Sequence, residues 1–335
     1  MKLKNFLILS LALSLCWVCA AKQSTLRQRE YKLRVCWVPQ AQFAGFFMAQ
    51  EEGFYAQEGL ALEISYPPRN EEMFDTLMAE DVDFVMEWFL YALQFKAQGN
   101  DIVNVAQFQR HTEELLVAKK SSGIQTVKDI KGRNVGLWFA PQLQYSFKEF
   151  LKRNEVDDYH IYPILDNISL FLNGGVDVVS VMSFSEYHQI LFCGYKPEEL
   201  TVFPMKEAFP NLVMEGIYCR RETWENNKKD VIALRRATLK GWDAAFKNPE
   251  KALQVIKRKC DEITSLHNSS NNRQIYRECS FGYALQKEML ENFRRMTPIE
   301  GNDALLKKET FQEGMNIMGL NENDVLFEDF APQDK

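Results

Sequence analysis

The chain has 335 residues, of which 46% are hydrophobic and 26% are charged, a composition typical of a globular protein with room for two domains. Its formal net charge of −6 argues against a nucleic-acid partner, since such a partner requires a basic face.

The amino terminus has the pattern of an export signal. Lys2 and Lys4 supply positive charge, residues 6–18 are apolar, and small residues surround Ala20. The apolar stretch is too short to span a bilayer comfortably. We therefore predict that residues 1–21 form a signal peptide and that the mature protein is periplasmic or extracellular, with an uncleaved membrane anchor as the alternative.

Lipidation of the leader is a second alternative. Cys16 and Cys19 are candidate acceptors, but the large residues Leu15 and Val18 precede them, where a lipoprotein site usually has a small one. This favours a soluble mature protein over a lipid-anchored one.

The remaining cysteines predict no metal site. They are odd in number and widely spaced, with no CxxC or Cys/His cluster: Cys36, Cys193, Cys219, Cys260 and Cys279. Cys260 and Cys279 could form a disulfide, but buried free thiols are the simpler interpretation.

Strand-like and helix-like stretches alternate from Tyr31 to the turn-rich break at residues 121–123, which predicts parallel strands flanked by helices. The predicted strands are residues 32–38, 62–66, 83–86, 102–107 and 115–119. The predicted helices are residues 43–52, 71–80 and 88–97.

A second alternating run follows the break and predicts another α/β unit. Its strands are residues 134–139, 159–164 and 176–182, and its helices are residues 145–153, 168–172 and 185–192. A strand at residues 212–219 and a largely helical tail come next, with helices at residues 231–246 and 250–259. Gly241 lies on the apolar face of the first of these helices, where the missing side chain allows close packing.

Catalytic patterns are scarce. The four histidines are not spaced as metal ligands, and no nucleophile elbow, phosphate loop or Cys/His pair is visible. We therefore predict no catalytic residue, no metal and no cofactor.

Aromatic residues at the predicted strand ends are more informative, because ligands of open α/β sheets bind beyond the carboxyl ends of the strands. Aromatic faces at this edge can stack on a flat heterocycle while a few polar groups orient it. The alternative is that these rings fill the core. The predicted ligand-binding residues are Trp37, Gln40, Gln42, Phe43, Glu87, Trp88, Trp138, Phe139, Phe184 and Glu186.

Several segments, in order along the chain, resemble the type 2 periplasmic binding proteins for thiamine-pyrimidine and riboflavin-type ligands. They are WVPQAQFAGFFMA at residues 37–49, EGFYAQEGL at 52–60, VGLWF at 135–139, LNGGVD at 172–177, MSFSEY at 182–187, and KGW with NPE at 240–250. The fifth segment is similar to the family's Met-Thr-Tyr-Asn-Glu-Tyr and implies a ligand-binding role for Glu186.

The resemblance implies an α/β, two-lobed periplasmic-binding-protein type 2 fold with a helical C-terminal extension. We predict lobe one at residues 31–119 plus 209–335, lobe two at residues 120–203, and two crossovers between them. The protein would capture a small aromatic heterocycle, a thiamine-pyrimidine precursor or a riboflavin-like compound, by hinge closure. It would act as a monomer and deliver the ligand to an ABC transporter permease.

Two other functions stay open. One is the pyrimidine-forming enzyme of the same family, which uses its own histidine and pyridoxal phosphate. The resemblance places Phe43 where pyrimidine-type relatives often carry histidine, and the enzyme's cysteine run is missing. The other is a ligand-sensing subunit of a signalling receptor, which would have a membrane-bound kinase as its partner.

One departure from the family pattern affects the ligand. Many relatives have Gly-Gly-Asn-Glu after the Trp-Phe pair, whereas this chain has Ala140-Pro141-Gln142-Leu143. Pro141 has no amide proton to offer an anionic group. We therefore expect a neutral ring system in preference to a phosphate-bearing ligand.

Overall fold

The computed structural model describes residues 28–67, 72–165, 168–268 and 281–334. The predicted signal peptide, Cys279 and the start of the helix predicted at residue 71 lie outside these ranges. Within the described part of the chain, no helix is both long and apolar enough to cross a membrane.

Ten strands form two five-stranded sheets. The first sheet has the order β2-β1-β3-β10-β4 and the second the order β7-β6-β8-β5-β9. The strands are β1 (Arg29–Arg34), β2 (Leu60–Ser65), β3 (Phe84–Trp88), β4 (Ile102–Ala106), β5 (Glu114–Lys119), β6 (Asn134–Trp138), β7 (His160–Ile164), β8 (Val178–Met182), β9 (Leu200–Pro204) and β10 (Glu215–Arg220).

Helices pack on both sheets and continue beyond the last strand. They are α1 (Ala44–Glu51), α2 (Phe54–Gln57), α3 (Met73–Met78), α4 (Phe89–Ala97), α5 (Tyr145–Arg153), α6 (Ser169–Leu172), α7 (Glu186–Phe192), α8 (Met205–Ala208), α9 (Arg221–Lys247, kinked at Asn227), α10 (Pro249–Asn268), α11 (Tyr283–Met296), α12 (Lys308–Met318) and α13 (Phe327–Phe330). The predicted α/β class with two lobes and a helical extension is confirmed.

The sheets are mixed, so the predicted parallel strands are present, but two strands run against them. β1 pairs in parallel with β2 and β3, and β6 with β7 and β8, but β10 runs antiparallel to β3 and β4. β5 likewise runs antiparallel to β8 and β9. The strands that enter each sheet after a crossover therefore run against their neighbours.

The chain crosses between the sheets twice, at residues 107–113 and again at residues 205–214. β5 falls inside residues 31–119 of the predicted division but pairs with strands of the second sheet. The two crossovers are joined by an ion pair, since Lys206 Nζ lies 2.9 Å from Glu113 Oε1.

The burial of the central strands follows from their composition. β8 reads VVSVM and every residue in it is buried, as expected for a β-branched strand covered on both faces. β3 occupies the corresponding central position in the first sheet and is buried up to Glu87.

The close approach of α9 to α1 organises the core of the first lobe. A Cβ atom on Gly241 would lie 2.0 Å from the carbonyl oxygen of Gly45, and one on Gly45 would lie 2.4 Å from the Trp242 ring. Trp242 is fully buried and stacks on Phe293 of α11, with ring centroids 5.5 Å apart and an interplanar angle of 2°. Glycine at both helix positions is therefore a packing requirement.

We expect Gly241→Ala to lower the free energy of unfolding by about 1–3 kcal/mol or more, because its methyl group meets backbone that cannot move aside. Glu225→Ala on the same helix is the matched control, since Glu225 is exposed and its replacement should change stability by less than about 0.5 kcal/mol. Urea unfolding of both variants measures the difference. Equal stability of the two would contradict the packing argument.

Candidate functional site

A cavity of about 420 Å³ lies between the two sheets. Its walls come from the segments that follow β1 and β6 and from the ends of β3 and β8, together with the start of β10. Carboxyl ends of parallel strands meet at one edge of each sheet, which is why these segments converge.

Two tryptophans from opposite lobes meet at this cavity. Trp88 ends β3 and Trp138 ends β6, and their ring centroids are 6.1 Å apart with an interplanar angle of 45°. Trp138 also packs edge-on against Phe147 of α5, which fixes its orientation. Phe139, the next residue after Trp138, is 50% exposed, so this wall offers aromatic surface to a ligand.

Phe184 also lines the cavity but is itself almost fully buried. Its ring contacts Phe293 of α11 at 5.0 Å between centroids. The second lobe therefore touches the helical extension behind the cavity.

The first lobe contributes two buried carboxyl groups, Glu87 at the end of β3 and Glu215 at the start of β10. The strand register places Glu215 opposite Trp88, so the two acids lie at neighbouring positions of one strand pair. Gln42 Nε2 donates to Glu215 Oε1 at 2.5 Å, and Gln40 in turn donates to Gln42 Oε1. Glu87 Oε1 accepts the backbone N–H of Trp88 at 2.7 Å.

Burial dominates the ionisation of both acids. It raises the pKa of Glu87 to about 8, and the negative charges of Glu215 and Glu72 act in the same direction against the hydrogen bond from Trp88. Burial likewise raises the pKa of Glu215 to about 7. Near neutral pH these groups exchange protons easily, as groups in functional clefts often do.

Glu186 faces the cavity from the second lobe. It begins α7, and its Oε2 accepts the backbone N–H of Met182 at 2.9 Å. Across the cleft, Gln142 Nε2 donates to Glu72 Oε2 at 3.5 Å and Tyr145 donates to Gln94. The two lobes are thus in polar contact at the rim.

Nine of the ten residues predicted from the sequence line the cavity: Trp37, Gln40, Gln42, Glu87, Trp88, Trp138, Phe139, Phe184 and Glu186. Phe43 does not, since its ring is fully buried and packs edge-on against Phe47. A ligand contact by any of the ten stays a prediction.

Sequence reasoning missed Glu215, along with Cys36, Glu72 and Gln142. Glu215 is the first residue of a strand, whereas the predicted site residues lie near or after the last residue of one. The position of Glu215 could have been predicted only if β10 had been recognised as antiparallel. The amino end of an antiparallel strand lies at the same sheet edge as the carboxyl ends of its neighbours.

The described residues contain no group of His, Cys, Asp and Glu side chains arranged to hold a metal ion. The Cys260 thiol is buried and lies 3.1 Å from the carbonyl oxygen of Pro39.

The architecture of two mixed α/β sheets is shared with solved structures. A ligand-binding component of an ABC-type import system from Staphylococcus aureus superposes with a TM-score of 0.63 at 13% identity, over 90% of this chain and 96% of that one. The fold is that of the two-lobed periplasmic binding proteins. The chain belongs to the NMT1/THI5-like family, whose profile matches residues 40–252.

The curated relatives are named either as binding proteins or as a synthase. A formylaminopyrimidine-binding protein from Halalkalibacterium halodurans is 20% identical over 78% of this chain and 81% of its own length. The riboflavin-binding protein RibY from Chloroflexus aurantiacus is 23% identical over 76% and 73%. A 4-amino-5-hydroxymethyl-2-methylpyrimidine phosphate synthase from Legionella pneumophila is 28% identical, over only 34% of this chain and 35% of that protein.

The two buried acids should make the stability of the unliganded protein fall as pH rises. In the unfolded chain a glutamate releases its proton near pH 4.3, whereas Glu87 and Glu215 keep theirs up to about pH 8 and pH 7. Between these values the native state binds more protons than the unfolded state, so the free energy of unfolding decreases with pH.

We expect Glu87→Gln to remove part of that decrease, on the order of 2–4 kcal/mol between pH 5 and pH 8. Glu225→Gln at an exposed position is the control and should leave the slope unchanged. Urea unfolding at several pH values gives both slopes. Parallel curves for wild type and Glu87→Gln would show that Glu87 ionises normally.

Proposed function

We propose that this protein is the solute-binding component of an ABC-type importer and that it captures a small aromatic heterocycle by closing two lobes around it. The observation that carries the proposal is the meeting of Trp88 and Trp138, from opposite sheets, at a cavity lined by further aromatic residues. No chemical step on the ligand is required.

The size of the cavity supports a small ligand. A volume of about 420 Å³ lies within the range of roughly 300–1,000 Å³ common for small-molecule sites. A flat ring can insert beside Trp37, Trp88 and Trp138, where stacking adds on the order of 1 kcal/mol per aromatic contact.

Hinge closure is consistent with the connections between the sheets. Only residues 107–113 and 205–214 carry the described chain from one sheet to the other. Contacts across the rim, such as that of Gln142 with Glu72, exist only when the lobes are together. A ligand that adds contacts to both lobes shifts the population toward this closed form.

Two ligand classes are proposed, a thiamine-pyrimidine precursor and a riboflavin-like ring system, because relatives named for both kinds of ligand match most of the chain. Glu186 is the proposed polar anchor in the second lobe. Export through residues 1–21, a monomeric state and delivery to a membrane permease complete the proposal. A sensor role would differ in its partner, which neighbouring genes would identify.

We expect Trp37→Ala to weaken ligand binding about tenfold, through lost stacking and lost apolar contact. The melting temperature of the unliganded protein should change little, because Trp37 is only partly buried. Calorimetric titration with riboflavin and with 4-amino-5-hydroxymethyl-2-methylpyrimidine, after mass spectrometry of molecules carried through native purification, measures the affinity.

Trp224→Ala is the reciprocal control. Trp224 is buried on α9 away from the cavity, so its removal should cost about 3–5 kcal/mol of stability without changing the dissociation constant. If Trp37→Ala binds like wild type and melts early, Trp37 belongs to the core and the proposed cleft is wrong.

The synthase alternative has a separate test. Phe43 fills the position where the resemblance expects histidine, and its buried ring can neither bind a metal nor donate a proton. We expect no pyrimidine product from the protein incubated with pyridoxal phosphate, iron and oxygen. Even single-turnover product, accompanied by loss of a histidine side chain in the protein's mass spectrum, would overturn the transport proposal.

A further inference from the structure

The turn between β8 and α7 supplies part of the cavity lining from the second lobe. We call it the cavity turn and define it as residues 182–186. Its residues that line the cavity are Met182, Phe184, Ser185 and Glu186. Ser183 does not line the cavity and is bound instead by a residue of the first crossover. The shape of this part of the site therefore depends on a residue outside it.

Glu113 is the residue that holds Ser183. The carbonyl oxygen of Glu113 accepts the backbone N–H of Ser183 at 2.9 Å, and its Oε2 accepts the Ser183 hydroxyl. The register of β5 on β8 pairs Glu114 with Met182, so this contact extends the strand pair by one position. Glu113 is 7% exposed and does not line the cavity. Any effect of Glu113 on a bound solute must therefore be indirect.

The same carboxylate binds both crossovers. Lys206 of the second crossover donates to Glu113 Oε1 at 2.9 Å, and His111 Nδ1 of the first lies 3.2 Å from the same oxygen. Burial alone would raise the pKa of Glu113, but hydrogen bonds with His111, Lys206 and Ser183 outweigh it and lower this pKa to about 2. The group is therefore ionised at neutral pH, which strengthens the hydrogen bonds that it accepts.

The first lobe is fastened close to Glu113 in the sequence, at Arg110. The backbone N–H of Arg110 donates to the carbonyl oxygen of Met296 at 3.0 Å, and its guanidinium donates to that of Leu305 at 3.0 Å. Met296 is the last residue of α11, which packs on the first lobe. Residues 111–112 alone separate this anchor from Glu113. A change of angle between the lobes is therefore absorbed within a few residues of the carboxylate.

We propose that Glu113 is a positioning residue for solute binding. It fastens the cavity turn to both crossovers, so that the turn is ordered before the solute arrives and moves with the hinge when the lobes close. The inference rests on the proposed solute-binding function and assigns one of its determinants to a residue that the solute does not touch. A turn that is already ordered spares the entropy of ordering it during binding. Affinity therefore depends on Glu113 through Ser183.

The first measurement is hydrogen–deuterium exchange of the unliganded protein, followed by mass spectrometry of its peptides. We expect Glu113→Ala to speed exchange in the cavity turn by at least about threefold, because local opening becomes easier when the turn loses its carboxylate. Ser183→Ala should act in the same direction. This second variant keeps the buried carboxylate and decides the question if Glu113→Ala does not fold.

Asp129→Ala is the matched control. Asp129 is another carboxylate of the second lobe that holds a turn, since it accepts the backbone N–H groups of Gln125 and Thr126 at 3.0 and 2.8 Å. It does not line the cavity. Its replacement should speed exchange around residues 125–126 and leave exchange in the cavity turn like wild type.

The second measurement is calorimetric titration with riboflavin and with 4-amino-5-hydroxymethyl-2-methylpyrimidine or, if neither binds wild type, with the molecule identified after native purification. We expect Glu113→Ala to weaken binding about tenfold and Ser183→Ala about threefold, whereas Asp129→Ala binds like wild type. The double variant of Glu113 and Ser183 should bind no more weakly than Glu113→Ala alone, because both changes remove one interaction. A residue with a purely structural role would lower the midpoint of urea unfolding without producing this pattern.

The outcomes separate the two proposals. Unchanged exchange in the cavity turn, unchanged affinity, or additive losses in the double variant overturns the role of Glu113 and leaves the solute-binding function intact. Absence of any bound molecule, in titration and after native purification, overturns both.

Discussion

The contact of Trp242 with the backbone at Gly45 sets the position of much of the rest of the molecule. Because no side chain separates α9 from α1 at this crossing, the Trp242 ring enters the core and stacks on Phe293. Phe293 then contacts Phe184 at the cavity. An aromatic series therefore runs from the first lobe through the extension to the second lobe, and it begins at the crossing of α9 and α1.

Sequence patterns predicted many of the elements because local signals agreed with tertiary packing. α5 occupies residues 145–153, as predicted, and the β-branched run before Met182 is a central buried strand. Strand direction could not be read in this way. The alternation of strands and helices is the same whether the chain reaches a strand from within its own sheet or from the other sheet. The local sequence therefore carries no signal for the antiparallel direction of β5 and β10.

The candidate site was likewise predicted only where the signal lies in the local sequence. Trp88 and Trp138 could be predicted because an aromatic residue at the end of a strand can be recognised in the linear sequence. Glu215 is defined by its pairing with a distant strand. Glu113 and Glu114 are adjacent in sequence but have opposite pKa shifts. Burial would raise the pKa of Glu113, but hydrogen bonds with His111, Lys206 and Ser183 outweigh it and lower this pKa to about 2. Burial raises the pKa of Glu114 to about 7.

The contact between Phe184 and Phe293 joins the second lobe to the helical extension. Phe184 precedes α7 and belongs to the second lobe, whereas Phe293 of α11 is anchored to the first through Trp242. His188 Nε2 of α7 and Asn292 Nδ2 of α11 lie 3.4 Å apart. Separating the lobes at this point breaks both contacts whether or not the cavity is filled. Part of the energy that opposes separation of the lobes therefore lies on α11, whose residues do not line the cavity, and substitutions there can change this energy while leaving the cavity lining intact.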